Sequence, residues 1–156
     1  MMNKLFLIIA IASSLVACQS ENRIFEEHQE LSPEIEWLKK DVKTFKVPIS
    51  DNKLKYNLSL SFRYANGYQY ETVNVKVKET SPSGKEAIQE YNLKVRATNG
   101  DYIGEPGFDI WDSEHLIEPN KIYLENGEYT YTIEQNTPVD PLNFAMEIGV
   151  ILDKTQ

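Results

Sequence analysis

The residue in this chain best suited to covalent chemistry is Cys18, the only cysteine of the sequence. It follows a positively charged Lys4, an uninterrupted apolar run over residues 5–12, and the small residue Ala17. A charged start, a short apolar run and a small-residue end form the layout of a secretory signal peptide, which we expect over residues 1–17. A membrane-spanning helix needs roughly 20 apolar residues, so this run is too short to be one.

The motif Leu15-Val16-Ala17-Cys18 resembles the lipobox of bacterial lipoproteins. In such signals the peptide is cut before the cysteine, the thiol is joined to diacylglycerol, and the new amino group is usually acylated. The resemblance therefore implies N-palmitoyl and S-diacylglycerol groups on Cys18, with membrane lipids as its partner. The alternative is a small buried cysteine. We reject it because this cysteine ends a signal, and two or three acyl chains suffice to hold a protein on a membrane.

Composition limits the possible functions of the remaining chain. The net charge of the 156 residues is −8, and removal of residues 1–17, which contain one lysine, leaves −9. An acidic protein does not neutralise phosphates, so nucleic acid is excluded as a partner, and electrostatic docking on anionic lipid is disfavoured. With one cysteine no internal disulfide can form. The length fits a single domain with its own hydrophobic core.

Polarity divides the mature chain into two parts. Residues 19–32 are mostly polar, which predicts a flexible tether. Residues 33–38 fit either a helical turn or an extended segment. We therefore assign residues 18–40 to the lipidated N-terminus and tether, and residues 41–156 to the folded domain.

Beyond Lys40 apolar residues alternate with polar ones, which is typical of half-buried antiparallel strands. About seven strands are predicted, over residues 42–47, 54–64, 71–79, 88–95, 121–124, 127–135 and 142–152. The chemistry of Ser81-Pro82-Ser83-Gly84 predicts a hairpin turn, and Asn126-Gly127 predicts a second hairpin. Because so many one-sided strands need a shared core, the fold class is all-β, an antiparallel β-sandwich of immunoglobulin-like or jelly-roll-like type.

Several landmarks along the mature chain are similar to the GldH family, the gliding-motility lipoproteins of the Bacteroidetes envelope. They are Arg23-Ile24-Phe25-Glu26, Trp37, Lys40-Asp41, Phe45, Gly100-Asp101-Tyr102-Ile103-Gly104, Gly107, Asp109-Ile110, and the stretch from Gly127 to Gln135. The resemblance implies a non-catalytic envelope lipoprotein needed for gliding, with other gliding or secretion proteins as partners. Residues 136–141 depart from the longer, arginine-containing segment of the family, so a partner contact made there cannot be transferred to this chain.

The glycine-containing stretch over residues 100–115 is predicted to be a long loop that carries three rings. Tyr102, Phe108 and Trp111 occupy positions where no strand alternation requires them, so we predict that they contact a partner. Binding of a glycan or another small ligand by the same rings is the alternative function. A purely structural role is also open, in which the rings fold back and close one end of the sandwich.

No residue pattern indicates catalysis, a metal or a cofactor. Acidic residues crowd the 101–114 stretch, but their spacing differs from the calcium-binding loop, and calcium stays an open question. His28 and His115 have no patterned companion of the kind that zinc requires. Ser59 and Ser61 lie outside a Gly-x-Ser-x-Gly turn, and no carboxylate pair suggests a glycosidase. We expect no enzyme activity, and an envelope hydrolase ranks third.

The residues that follow the lipobox bear on the location of the protein. Gln19, rather than an aspartate, follows the cysteine, which by analogy with lipoprotein sorting favours the outer membrane. In this phylum, a short acidic cluster after the cysteine is typical of surface-displayed lipoproteins. In this chain only Glu21 is acidic over residues 19–23. We therefore expect the periplasmic side.

Overall fold

The computed structural model describes residues 21–155, and Cys18 with the expected signal peptide over 1–17 lies outside the described residues. Within that range the regular secondary structure consists entirely of β-strands, in this order: β1 Arg23–Glu30, β2 Glu36–Trp37, β3 Lys43–Ile49, β4 Lys55–Ala65, β5 Thr72–Thr80, β6 Glu86–Lys94, β7 Glu105–Pro106, β8 Ile110–Ile122, β9 Gly127–Gln135, β10 Leu142–Asn143 and β11 Ala145–Lys154. Residues 21–155 contain no helix with the length and apolarity needed to span a bilayer.

The strands form two main antiparallel sheets that face each other. One sheet has the order β1-β11-β4-β8-β7 and the other the order β3-β9-β5-β6, while β2 and β10 form a small two-stranded sheet. The predicted all-β antiparallel sandwich is thereby confirmed. Alternation decides which side chains fill the space between the sheets: β4 contributes Leu58, Leu60 and Phe62, and β5 contributes Val73 and Val75.

The predicted tether over residues 18–40 is wrong from Arg23 onward. Residues Arg23–Glu30 form β1, which pairs with β11 from Arg23 opposite Asp153 to Glu30 opposite Glu147. Leu31 and Trp37 are buried in the core. The reason is that β1 is an edge strand held mainly by backbone hydrogen bonds to β11, so its polar composition does not reveal it.

One predicted hairpin is present and the other is absent. Strands β5 and β6 pair along their length around the 81–85 turn, as predicted. The prediction of a hairpin at Asn126-Gly127 is wrong, because the strands on either side of it lie in different sheets: β8 pairs with β4, whereas β9 pairs with β3 and β5. Residues 123–126 cross between the sheets, and Tyr123 is buried at that crossing, where its ring centroid lies 4.6 Å from that of Tyr129.

Two further boundaries differ from the prediction. The loop predicted over residues 100–115 ends at Ile110, where β8 begins, so Trp111 lies on a strand. The last predicted strand is divided into β10 and β11 by Phe144, whose φ of 66° lies in the left-handed region. That backbone conformation breaks the alternation and leaves Phe144 partly exposed.

The sandwich has two ends, proximal and distal. The proximal end is the end at which the chain begins β1, and it carries the turns over residues 50–54, 81–85 and 123–126. The distal end lies beyond the other end of β1 and carries the tip of the β7–β8 hairpin, residues 107–109. Because β1 has eight residues, these ends are separated by about 25 Å along the strand direction.

Candidate functional site

A tight hairpin places Phe108 at the distal end. The Gly107 amide donates to the Ile110 carbonyl oxygen at 2.8 Å, and Asp109 adopts a left-handed φ of 56°. Gly104, with a φ of 130°, brings the start of this hairpin so close to β8 that an added Cβ would lie 2.8 Å from the carbonyl carbon of Asp112. A side chain at Gly104 is therefore incompatible with the hairpin.

Two of the three predicted rings fold back beneath the hairpin. The rings of Tyr102 and Trp111 stack, with centroids 5.4 Å apart and planes at 29°. Trp111 Nε1 donates to Asn66 Oδ1 at 2.8 Å, and the Tyr102 hydroxyl accepts from the Gly67 amide at 2.8 Å. The two rings, both half-buried, thus join the 66–67 turn to β8 and to the loop that precedes β7.

Arg96 holds the other side of this aromatic pair. Its guanidinium carbon lies 4.8 Å from the Tyr102 ring centroid, which is a cation–π distance. The same guanidinium donates to the Gly100 carbonyl oxygen at 2.6 Å and to the Tyr68 carbonyl oxygen at 3.0 Å. The guanidinium N–H groups are therefore bonded to the loops of the distal end, and these hydrogen bonds keep the loops rigid.

Phe108 is the ring that remains outside. Its side chain is 93 % exposed, the largest exposure among the exposed large apolar residues described. The residue after it is held in place, since the Asn66 amide donates to the Asp109 carbonyl oxygen at 2.9 Å and Asn66 Nδ2 donates to Asp109 Oδ1 at 3.0 Å. Phe108 is therefore an exposed aromatic ring on a rigid backbone support.

The acidic residues of the 101–114 stretch are dispersed by the fold. Asp112 binds Arg63, and Glu114 binds Arg23. Asp101 accepts from Asn99 and Asp109 accepts from Asn66. Over residues 21–155 no three His, Cys, Asp or Glu side chains are gathered so that they could hold a metal ion.

A polar cluster on the outer face of the five-stranded sheet was not predicted from the sequence. His28 Nδ1 lies 2.9 Å from Ser61 Oγ, and His28 Nε2 lies 2.9 Å from Glu26 Oε1. The hydrogen bond from His28 is the main cause that lowers the pKa of Glu26. His28 and Ser61 flank Gly149 in one cross-strand row, and the missing side chain there allows them to meet.

The cluster has the residue types of a serine nucleophile, a base and an orienting carboxylate, in an open depression of about 560 Å³. Its surroundings lack the remaining part of such a site. Ser61 lies in the middle of β4, between Gly149 on β11 and Glu114 on β8, in a regular ladder. Backbone amides committed to such a ladder do not converge on an oxyanion. The nearby Arg63 is paired with Asp112 and Glu147.

The side chain of His115, the other histidine, points into the space between the two sheets. Its Nε2 lies 2.9 Å from Ser113 Oγ, and that hydroxyl donates to the Phe62 carbonyl oxygen at 3.0 Å. Since the Ser113 proton is used in that bond, His115 donates from Nε2. Burial lowers the pKa of His115, which favours its neutral form.

Comparison with known proteins decides the family. The GldH lipoprotein family model matches residues 23–152, from the first residue of β1 to the end of the core part of β11. The chain belongs to the GldH lipoprotein family. The family resemblance drawn from the sequence is confirmed, and the match includes the distal loops and the Phe108 hairpin.

Two curated relatives of this GldH family member cover most of its length. The gliding motility lipoprotein GldH of Flavobacterium johnsoniae is 26% identical over 128 residues, which is 82% of this chain and 78% of the relative. A gliding motility lipoprotein GldH homolog of Christiangramia forsetii is 24% identical over 115 residues, or 74% of this chain and 69% of the relative.

One solved structure has a partial likeness to the fold. It is the 4-O-methyl-α-glucuronidase BtGH115A of family GH115, described as specific for decorated arabinogalactans. The match covers 88% of this chain but 18% of that enzyme, with 10% identity and a TM-score of 0.46. A likeness at this level carries no argument about activity or substrate.

Proposed function

We propose that this protein is a non-catalytic component of the gliding-motility apparatus, which contacts other envelope proteins through Phe108. One observation carries the proposal: a fully projecting aromatic ring stands on a hairpin that a ring stack and side-chain hydrogen bonds hold rigid. Exposed aromatic side chains on rigid supports lose little conformational entropy when a partner covers them. The names of the curated relatives supply the process in which such a contact would serve.

The proposal includes a lipid anchor at Cys18 in the outer membrane, on the periplasmic side. The lipobox supports the anchor, and Gln19 with the single acidic Glu21 supports the location. Mass spectrometry of the protein from its host is expected to show the mass of the acyl groups on an N-terminal Cys18. Protease treatment of intact cells is expected to leave the domain undigested, and digestion would place it on the cell surface instead.

The test of the partner contact is a gene replacement that encodes Phe108→Ala. Colony spreading is expected to fall several-fold while the abundance of the protein stays at the wild-type level, because Phe108 makes no contact that the fold needs. Ile88→Ala is the matched control, since Ile88 is also an exposed apolar residue, 55 % accessible, but lies on the outer face of β6. Normal spreading of the Phe108→Ala strain would remove the basis of the proposal.

The absence of catalysis is a separate part of the proposal. It is supported by the position of Ser61 within a regular ladder and by the carboxylate partners of the nearby arginines. It is tested by the colony spreading of Ser61→Ala and His28→Ala strains. Binding of a glycan or another small ligand between the three rings is less well supported, because Tyr102 already contacts Trp111, Tyr64 and Arg96 and, of the three, Phe108 alone keeps an open aromatic face.

A further inference from the structure

The proximal end carries a group of exposed apolar side chains that the partner contact at Phe108 does not explain. Leu124 is 80 %, Ile122 is 59 % and Leu54 is 38 % exposed. Lys55, which follows Leu54, is the cross-strand partner of Ile122. Leu54, Ile122 and Leu124 are therefore neighbours at one end of the molecule, and we call them the proximal patch.

Hydrogen bonds fix the two turns that carry the proximal patch. Asn52 Nδ2 donates to the Leu124 carbonyl oxygen at 3.0 Å, and the Asn52 amide donates to Asn126 Oδ1 at 2.7 Å. Glu125 accepts from the Ser83 hydroxyl at 2.7 Å, which joins the 81–85 turn to the same assembly. The apolar side chains consequently project from a fixed backbone.

The proximal patch is also joined to the point at which the chain enters the domain. The Lys154 amide donates to the Asn22 carbonyl oxygen at 2.8 Å, and the Thr155 amide donates to the Lys55 carbonyl oxygen at 3.0 Å. Arg23 begins β1, and it is five residues after Cys18. A stretch of five residues reaches at most about 18 Å. A lipid on Cys18 therefore keeps this end of the domain next to the bilayer.

Charges around the proximal patch suit a lipid surface. Lys53, Lys55 and Lys154 are exposed, and the ion pairs of lysines in residues 21–155 involve other lysines. Long lysine side chains can lie along apolar surface while the ammonium group reaches a phosphate. Exposed carboxylates also lie at the proximal end, on Glu21, Glu86 and Glu128, so the positive charge belongs to the lysines nearest the proximal patch rather than to the end as a whole.

We propose that the proximal patch rests on the membrane, with Leu54, Ile122 and Leu124 at the boundary between headgroups and acyl chains. The inference rests on the proposed lipidation of Cys18, which supplies the attachment, while the patch supplies the orientation. Interfacial binding of this kind follows from buried apolar area supported by basic residues. The orientation points Phe108 away from the bilayer, toward other proteins of the envelope.

The test uses the full lipidated protein, purified from its host and reconstituted in vesicles of phosphatidylethanolamine and phosphatidylglycerol. A single added cysteine, Leu124→Cys, is labelled with the fluorophore NBD, since acylation blocks the Cys18 thiol. Phe108→Cys, labelled in the same way, is the matched control at the distal end. When the vesicles contain lipid with a nitroxide near the top of the acyl chain, we expect at least two-fold quenching at position 124 and none at position 108.

The outcomes separate this inference from the proposed anchor. If the protein stays on the vesicles but position 124 is quenched no more than position 108, the patch faces solvent or a protein, and the inference is wrong. If the protein does not stay on the vesicles and NBD also labels Cys18, the anchor is wrong and the orientation falls with it. Circular dichroism of each labelled variant verifies that the exposed substitutions leave the fold intact.

Discussion

Arg23, the first residue of β1, donates from Nε to Asp153 Oδ1 on β11 at 3.1 Å, and its Nη2 lies 3.2 Å from Glu114 on β8. One guanidinium at the start of β1 therefore joins three strands of the five-stranded sheet. The hydrogen bond to Asp153 raises the pKa of Arg23 above its usual value. Because β1 is an edge strand, this ion pair fixes the point at which the domain meets its N-terminal segment.

Replacement of Arg23 is expected to destabilise the start of β1. Arg23→Ala removes charged hydrogen bonds in a half-buried site, and we expect the free energy of unfolding to fall by about 2 kcal/mol. Urea denaturation measures the change. Lys46→Ala is the control, since the Lys46–Glu128 pair is exposed and should contribute less than about 1 kcal/mol. Equal losses for the two variants would contradict the role given to Arg23.

Gly149→Ala is expected to disrupt the outer face of the same sheet. An added Cβ would lie 2.6 Å from His28 Nδ1 and 2.8 Å from the Glu27 carbonyl oxygen, and closer still to Ser61 Oγ. Since one of these neighbours is backbone of β1, side-chain movement cannot relieve the clash. We expect a loss of about 1–3 kcal/mol in the free energy of unfolding. Ser61→Ala alone should change it by less than about 1 kcal/mol, and a tolerated Gly149→Ala would show that β1 is not packed as described.

The cluster of Glu26, His28 and Ser61 is expected to be dispensable for function. Strains with Ser61→Ala or His28→Ala should spread like the wild type, because the backbone around Ser61 is committed to the sheet ladder and the cluster links β1 to β4 only through side chains. Colony spreading and protein abundance are measured together. Loss of spreading at normal abundance in the Ser61→Ala strain would reveal a reaction or a contact at this serine.

His115 is expected to make the domain less stable in mild acid. Burial lowers its pKa in the folded state, so the unfolded chain takes up the proton more readily. The stability that neutral His115 provides is complete above the unfolded pKa of about 6.5 and is lost as the pH falls toward the lower, folded pKa.

Urea denaturation at about pH 7.5 and about pH 5.5 tests this linkage. The loss of stability between the two conditions should be smaller in His115→Gln than in the wild type. Leu116→Gln is the control, because Leu116 is an exposed neighbour of His115 on β8 without a titratable group, so its loss should stay close to that of the wild type. An identical pH response in the His115→Gln variant would contradict the proposed linkage.

Truncation of Trp111 is expected to lower the free energy of unfolding, whereas truncation of Phe108 is expected to leave it nearly unchanged. Trp111→Ala removes the ring that stacks on Tyr102 and the hydrogen bond to Asn66, so we expect a loss of about 2 kcal/mol. Phe108→Ala should change the free energy of unfolding by less than about 0.5 kcal/mol, because the ring is in solvent. Thermal and urea denaturation of both variants would verify that Phe108 is available for a partner and Trp111 is not.

The sequence predicts those strands that bury one full face. Strands β4, β5 and β9 alternate because they direct every second side chain into the core. Strand β1 is at an edge, where backbone hydrogen bonds rather than side chains hold the chain, and its composition resembles that of a linker. The Asn126-Gly127 signal fails because the packing of Tyr123 sends the chain across to the other sheet.

The candidate site is predictable only in part for a related reason. The three rings stand out because strand alternation does not require them, and the structure leaves one of them, Phe108, in solvent. Tyr102 lies in the loop before β7 and Trp111 lies on β8. Their stacking therefore depends on tertiary contacts that the sequence pattern does not show. His28 and Ser61 are brought together by the register of β1, β11 and β4, which a sequence does not display.

The position of β11 also constrains when the domain can assemble. This strand, made by residues 145–154, lies between β1 and β4, so the earliest strand has no neighbour until the latest one has arrived. Pairing over such a long sequence separation is slow. If the chain is exported unfolded, as the proposed lipid anchor requires, this delay is an advantage. The topology thus makes the availability of β11 the step that permits the five-stranded sheet to close.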